Sequence, residues 1–410
     1  MVSDGGPPIV FLTPVLPAAQ GNGLAMRAGL FLEGLARRHT VAVVVIPVFG
    51  AASTDGGFIG ARAGSWVTLE LMDPAQAATW PSVLLSTAEG RHRAQEIYPL
   101  PAVCRQLSTE GQAQLRALID GVRLVHVMRS YLAPCLDYLL DDEARPPVTL
   151  DLDELDSGVQ RQLGSREQAE RFARLERYYL PRVDHIYTAS SEDARKLEED
   201  YAIDHVSTVP NAVRPPAPGA PVQERYDLLF VGNLSYEPNV DAALWLCEEI
   251  RPLLGAVTIA IVGSHPGPKL RALGALPGVS VVGDVPEITP WYRASRVAVA
   301  PLRIGGGTRI KILEALVHGR PVVATPLAGA GLAVGEDHGV LLAETAQEFA
   351  TACRRLLLDR SAAAEVAAAG RGQVTLVEDV AEEIDRLTRS AAQARPSAET
   401  TSGARHPDRG

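Results

Sequence analysis

Short, continuous apolar runs alternate along this chain with longer stretches that carry an apolar residue every three or four positions. The runs read as strands covered on both faces, and the stretches as amphipathic helices. Ile9–Thr13 is the first run. A stripe of Leu24, Ala28, Phe31, Leu32 and Leu35 then predicts a helix over 24–38, and Val41–Pro47 is the next strand. This β-loop-α-β order is the usual start of a doubly wound sheet. Further strands are expected at Val122–Val127, Pro147–Leu152, His185–Ala189 and Val206–Val209. Helices are expected at Trp80–Ala88, Leu107–Ile119, after Tyr131 through Leu140, and as one long element at Gln160–Leu180. Ser190-Ser191-Glu192 caps another helix.

The pattern is interrupted at Arg214–Pro221, where four of eight residues are proline, and this reads as a linker. A second β/α series follows. Its strands are Asp227–Val231, Val257–Val262, Val279–Val282, Val297–Ala300 and Pro321–Ala324. Its helices are Asn239–Leu254, Pro268–Leu273, Pro290–Ala294, Thr308–His318, Thr345–Leu358 and Ala362–Ala369. The fold class is therefore α/β, with two Rossmann-like doubly wound domains facing one cleft. The expected division is a first domain over 1–212, a linker over 213–224 and a second domain over 225–374. A final helix over 375–392 is expected to pack back on the first domain, and 393–410 reads as a disordered tail.

Composition narrows the function classes. The 410 residues are 46% hydrophobic and carry a net charge of −10, which argues against nucleic acid or an anionic membrane as a bulk partner. Any phosphate binding must be local. The longest apolar run, near Val41–Val48, is too short to span a bilayer, which leaves room only for weak peripheral membrane contact. Met1–Pro8 lacks the basic start of a signal peptide, and the four cysteines have no metal or CxxC spacing. A cytoplasmic protein without a metal centre is expected. The oligomeric state is not legible.

The candidate chemistry centres on Arg303-Ile304-Gly305-Gly306-Gly307-Thr308-Arg309-Ile310-Lys311, between an apolar strand and a helix, with Glu314 one turn on. Backbone N–H groups at such a turn, together with a helix dipole, attract an anion. Arg303, Arg309 or Lys311 can neutralise a diphosphate leaving group, and Glu314 can accept two ribose hydroxyls. Ile310, Ile312, Leu313, Leu316 and Val317 form the buried stripe of this helix, with Lys311, Glu314 and His318 opposite. In the first half, Gly21-Asn22-Gly23 is not GxGxxG, since Met26 holds the last position, and reads as a loop lining the cleft. Asp151-Leu152-Asp153 has the form of a metal-binding DxD. With the phosphate-type loop in the second half, Asp153 and its neighbours read rather as the acceptor side or as a helix cap.

Several stretches now point one way. Ala300-Pro301-Leu302, then Glu314-Ala315, then Gly319–Thr325 resembles the GT-B glycosyltransferases of family 4, which are retaining nucleotide-sugar enzymes. Phe230–Leu234 resembles the first strand and turn of that family's nucleotide domain, and Val209–Val213 the segment closing its first domain. The Gly305–Arg309 loop and Tyr236–Asp241 resemble one subgroup. The resemblance implies that Glu314 holds the ribose of a UDP-, GDP- or TDP-sugar and that amides around Gly307, Thr308 and Arg309 hold the diphosphate, while the turn itself offers the N–H groups of Gly305, Gly306, Gly307 and Thr308 to phosphate. Gly232 and Asn233 would border the sugar. It implies transfer to an acceptor hydroxyl of a polysaccharide, glycolipid or natural product, with retention and no obligatory metal or other cofactor.

Two departures stand out. The family's first glutamate falls at Gly306, and Met128 stands where a first-domain histidine is common. His126, two residues earlier, is one substitute, although its alternation with Val125 and Val127 also fits a core histidine. Arg129 is a second catalytic candidate, and Tyr131 joins Gly21, Asn22, Gly23 and Asp153 on the acceptor side. A nucleotide-sugar 2-epimerase of the same fold and a degenerate, non-catalytic accessory subunit remain the alternatives.

Overall fold

The computed structural model describes residues 6–48, 56–72, 92, 96–219, 222–305, 310–372 and 374–394. The apolar runs become parallel strands. Among the described residues, β1 (Ile9–Thr13), β2 (Val41–Val45), β3 (Ser65–Thr68), β4 (Leu124–Met128), β5 (Val148–Asp153), β6 (His185–Thr188) and β7 (Val206–Thr208) form one sheet, in the order β3-β2-β1-β4-β5-β6-β7. All five residues of β1 are buried. Val10 and Leu12 pack into one apolar cluster and Ile9 and Phe11 into another, because successive side chains leave a strand on opposite faces.

The second sheet holds β8 (Tyr226–Val231), β9 (Ile259–Gly263), β10 (Val279–Gly283), β11 (Ser295–Ala300), β12 (Val322–Ala324) and β13 (Val340–Leu342), in the order β10-β9-β8-β11-β12-β13. Strand order reverses at β1/β4 in the first sheet and at β8/β11 in the second. A doubly wound sheet opens a crevice at the carboxyl ends of its strands at that reversal. The candidate residues therefore belong where β1, β4, β8 and β11 end.

The chain crosses between the sheets at Val213 and returns beside that point. Val213 N–H donates to Thr375 O (3.1 Å), and Val377 N–H donates to Val213 O (3.2 Å). The last helix, Val377–Ala394, then lies on the Gly23–Leu35 helix of the first sheet. Val377, Val380 and Ile384 bury in the cluster of Phe31 and Leu35. Burying each such side chain contributes roughly 1.5–3 kcal/mol. Arg38 reaches Asp385 across the same contact at 3.1 Å.

Some elements differ from the periodicity. The long helix at 160–180 is two, Asp156–Gln162 and Arg166–Tyr179, broken at Gly164 with φ 74°. The helix expected from Asn239 begins at Glu237 and passes through a π-turn at Leu246–Ile250. β3 and β13 carry no apolar run of readable length: β3 is an edge strand with three of its four residues exposed, and β13 has three residues. The helix expected at Trp80–Ala88 lies outside the described residues, as does the tail beyond Ala394.

Candidate active site between the two sheets

The β8 turn is built by close backbone contact. A Cβ on Gly263, at the end of β9, would sit 1.6 Å from Gly232 O, so the two turns can stack only with glycine there. Gly263→Ala is expected to cost about 1–3 kcal/mol through overpacking, read as a lowered denaturation midpoint. The Asn233 side-chain oxygen accepts from Ser235 N–H (3.0 Å) and Ser235 Oγ (2.8 Å). Asn233 thus shapes its own turn. The residue that links this turn to the glycine-loop helix is Asn239, buried at 7% exposure. Its Nδ2 donates to Asn233 O (2.9 Å), and its Oδ1 accepts from Lys311 Nζ (2.5 Å). The Lys311 ammonium also lies 4.7 Å from the centre of the Phe230 ring. A cation is thereby held at the carboxyl end of β8.

Glu314 sits on the Ile310–Val317 helix and is 7% exposed, so the helix face opposite the apolar stripe is itself covered. Tyr292 Oη lies 3.4 Å from Glu314 Oε2. Burial pushes the Glu314 carboxyl up to about 8, against the pull of the Tyr292 hydrogen bond and the Lys311 charge. Gly305, with φ 115°, donates its N–H at 2.8 Å to Oε1 of Gln162, the last residue of the Asp156–Gln162 helix on the first sheet. A first-sheet side chain therefore already reaches the glycine loop. Gly306, Gly307, Thr308 and Arg309 lie outside the described residues.

Arg303 departs from its expected role. Its Nε and one Nη donate to the two carboxylate oxygens of Asp241 (3.1 and 2.7 Å), and its guanidinium lies 5.1 Å from the Trp245 ring centre. It is a bidentate ion pair at the rim, not a free cation for a leaving group.

On the first sheet, Gly21, Asn22 and Gly23 lead into the Gly23–Leu35 helix. Asn22 Oδ1 accepts from Ala25 N–H (2.9 Å), so this side chain is the helix cap. A Cβ on Gly23 would come 3.5 Å from Ile310 Cδ1, which brings this loop against the helix of Glu314.

Below that loop lies a buried ionic cluster. Arg27 is 1% exposed. It donates to both oxygens of Asp151 (2.7 and 2.5 Å), to Val209 O (3.1 Å) and to Asn211 Oδ1 (2.9 Å). Asp151 thus has both oxygens on one guanidinium, an ion-pair arrangement. Asp153, with φ 61°, is half-buried, 3.7 Å from Arg27 and 3.6 Å from Arg129.

Three first-sheet expectations are corrected. His126 is fully buried within β4, stacked on Phe31 at 4.6 Å, with Nδ1 2.8 Å from Thr149 Oγ1. Burial, with the Arg27 charge adding, lowers its pKa to about 3, so it is a neutral core histidine and no catalytic base. Arg129 is 6% exposed and ringed by Asp156 (2.5 Å), Asp153 and Glu154, so carboxylates hold it away from a catalytic role. Tyr131 is 4% exposed, packed in the same apolar cluster as Leu150 and Leu175. The chain turns inward after Arg129, whose φ of 73° starts a 3₁₀ segment over Ser130–Leu136. Of the residues that carry this geometry, the sequence reading gave no role to Asn239, Tyr292 or Gln162. Only Asn239 had a signal, its place in the Tyr236–Asp241 motif.

Residues 225–359, the segment holding β8 to β13, match the family model described as "Glycosyl transferases group 1". A search of curated proteins gave no match. Among solved structures, sucrose-phosphate synthase from Thermosynechococcus elongatus superposes with a TM-score of 0.70 at 16% identity, covering 95% of this chain and 100% of its own. Anabaena HepE in complex with UDP and glucose gives 0.65 at 12% identity, over 94% and 100%. WaaG, a glycosyltransferase involved in lipopolysaccharide biosynthesis, gives 0.61 at 14%, over 96% and 100%. At these identities the likeness carries the fold: two facing Rossmann-like domains, the second holding the matched segment, give this chain the GT-B architecture.

Proposed function

We propose that this protein is a glycosyltransferase that moves a sugar from a nucleoside diphosphate to an acceptor hydroxyl. One observation carries the reading: at the carboxyl ends of β8 and β11, inside the matched segment, a buried carboxylate (Glu314) and a held ammonium (Lys311) share one helix. A carboxylate can accept both hydroxyls of a ribose. An ammonium one turn away can meet the diphosphate, whose charge grows as the glycosidic bond breaks. The Gly305 N–H is given to Gln162 Oε1, so the diphosphate is left to the amides that the sequence pattern assigns to it, those of Gly306, Gly307, Thr308 and Arg309. The facing sheet, which reaches Gly305 through Gln162, closes the cleft against water.

The finer reading is transfer with retention, without an obligatory metal, in a protein of the family 4 subgroup with the Gly-Gly-Gly-Thr-Arg loop. The acceptor enters along Gly21–Gly23 and Asp153. UDP-sugars are the first donors to try, since the Anabaena neighbour is a complex with UDP and glucose. Among the described residues no helix is long and apolar enough to cross a membrane. The 2-epimerase reading would use a histidine in the cleft, and the burial of His126 favours transfer over it.

The test is donor turnover. Incubation with a panel of UDP-, GDP- and TDP-sugars is expected to release one nucleoside diphosphate faster than buffer does, in the presence of chelator. Release from none of them, with or without acceptor sugars and divalent metal, would count against an enzyme and for an accessory protein.

A further inference from the structure

Tyr292 belongs to none of the motifs above. It lies on the short Thr289–Arg293 helix and is 1% exposed. Its hydroxyl is 3.2 Å from Lys311 O and 3.4 Å from Glu314 Oε2. Its ring stacks on His318 at 4.7 Å and 21°. His318 in turn places Nδ1 2.6 Å from Glu314 O and Nε2 3.2 Å from Thr289 Oγ1. Both ends of the Ile310–Val317 helix are thereby fastened to the Thr289–Arg293 helix around the one carboxylate. Among the described residues, Glu314 Oε1 has no hydrogen-bond partner.

We propose that Tyr292 is a positioning residue for nucleotide recognition: its hydroxyl holds Oε2 of Glu314 and fixes the carboxylate plane, leaving Oε1 and the free lone pair of Oε2 to the paired hydroxyls of a ribose. This rests on the nucleotide reading above. A carboxylate free to rotate about its last torsion meets two hydroxyls at once only part of the time. One pinned by a phenol on a stacked ring is preorganised. The role is one of specificity, because a ribose and a 2′-deoxyribose differ only in the group the pinned carboxylate reads.

The test uses Tyr292→Phe, which keeps the ring on His318 and removes only the hydroxyl. Affinities are measured for the nucleoside diphosphate that binds best and for its 2′-deoxy counterpart. The wild type is expected to prefer the ribonucleotide about tenfold or more, the worth of one hydrogen bond to a charged group. Tyr292→Phe is expected to lose most of that preference by binding the ribonucleotide more weakly while holding the deoxynucleotide as before. In turnover, KM for the donor should rise with kcat within about twofold, as for an interaction present equally in ground and transition states. A ratio of affinities does not change with the fraction of protein folded, so a merely structural role would leave it untouched. An unchanged preference in Tyr292→Phe overturns the role of Tyr292 alone. A wild type that binds no nucleoside diphosphate, or does not discriminate, overturns the ribose site itself and this inference with it.

Discussion

Glu314→Gln is expected to make the protein more stable at pH 8 and at the same time to weaken its grip on a nucleoside diphosphate. The two effects share one cause. The carboxyl is held at about 8 in the folded chain, against an ordinary value of 4.5. Between those values the folded state binds more protons than the unfolded state, so stability falls as pH rises. The contribution is fully present below the unfolded value and is lost as pH climbs through about 8. Glutamine is neutral throughout, so the variant escapes that loss. At about 1.4 kcal/mol for each pH unit separating the folded and unfolded values, the difference above pH 8 is on the order of a few kcal/mol. Thermal midpoints of wild type and variant should lie close together at pH 5 and diverge in the variant's favour by pH 8. Binding moves the other way. Where the carboxyl is ionised, from about pH 8 upward, an amide replaces a charged double acceptor, and losing charge-assisted hydrogen bonds costs about 1.5–3 kcal/mol. A residue that destabilises its own fold and improves binding is typical of a site. Equal midpoints at pH 8 would refute the burial argument.

The second large effect lies on the opposite sheet. Arg27→Met removes a guanidinium that satisfies both oxygens of Asp151 and also ties down Val209 O and Asn211. Neither Arg27 nor Asp151 has side-chain exposure to water. Methionine fills a similar volume but leaves a carboxylate stranded in the core. Breaking one half of a buried pair costs about 3–5 kcal/mol, whereas replacing both halves with apolar groups is often neutral. Chemical denaturation should show a large drop for Arg27→Met and substantial recovery in Arg27→Met combined with Asp151→Leu. The recovery should be incomplete, because Val209 O and Asn211 Oδ1 also lose a donor. A small drop for the single variant would mean that the pair is solvated in solution. Because Val209 and Asn211 lie just before the crossing at Val213, this cluster also anchors the point where the chain leaves the first sheet.

The sheets were legible because a strand covered on both faces must be apolar along its covered length, as Ile9–Leu12 of β1, β2, Leu228–Val231 of β8 and β9 are. β3 and β13 were not, since an exposed or very short edge strand has no such run. The break at Gly164 was hidden because helical periodicity continues on either side of it. In the candidate site, the sharing of one helix by Glu314 and Lys311 after the glycine turn was readable from helical spacing. Their environment was not. Asn239 and Tyr292 come from other β/α units, and nothing local in either segment says that they converge on one helix. His126 shows the limit from the other side. A strand's alternation fits a core position and a cleft position equally until the packing of Phe31 and Tyr187 around it is known. Arg303 and Arg129 are placed by their charge and their position just beyond a strand end, and neither says that Asp241 and Asp156 already hold them.

The most direct test of the account is calorimetric titration of the wild type and Glu314→Gln with UDP, GDP and TDP at pH 8. One nucleoside diphosphate is expected to bind the wild type with one-to-one stoichiometry and to bind Glu314→Gln at least about tenfold more weakly, in line with the loss of charge-assisted hydrogen bonds. No binding to the wild type, or equal binding to both proteins, would contradict the assignment of the second sheet's cleft as the nucleotide site.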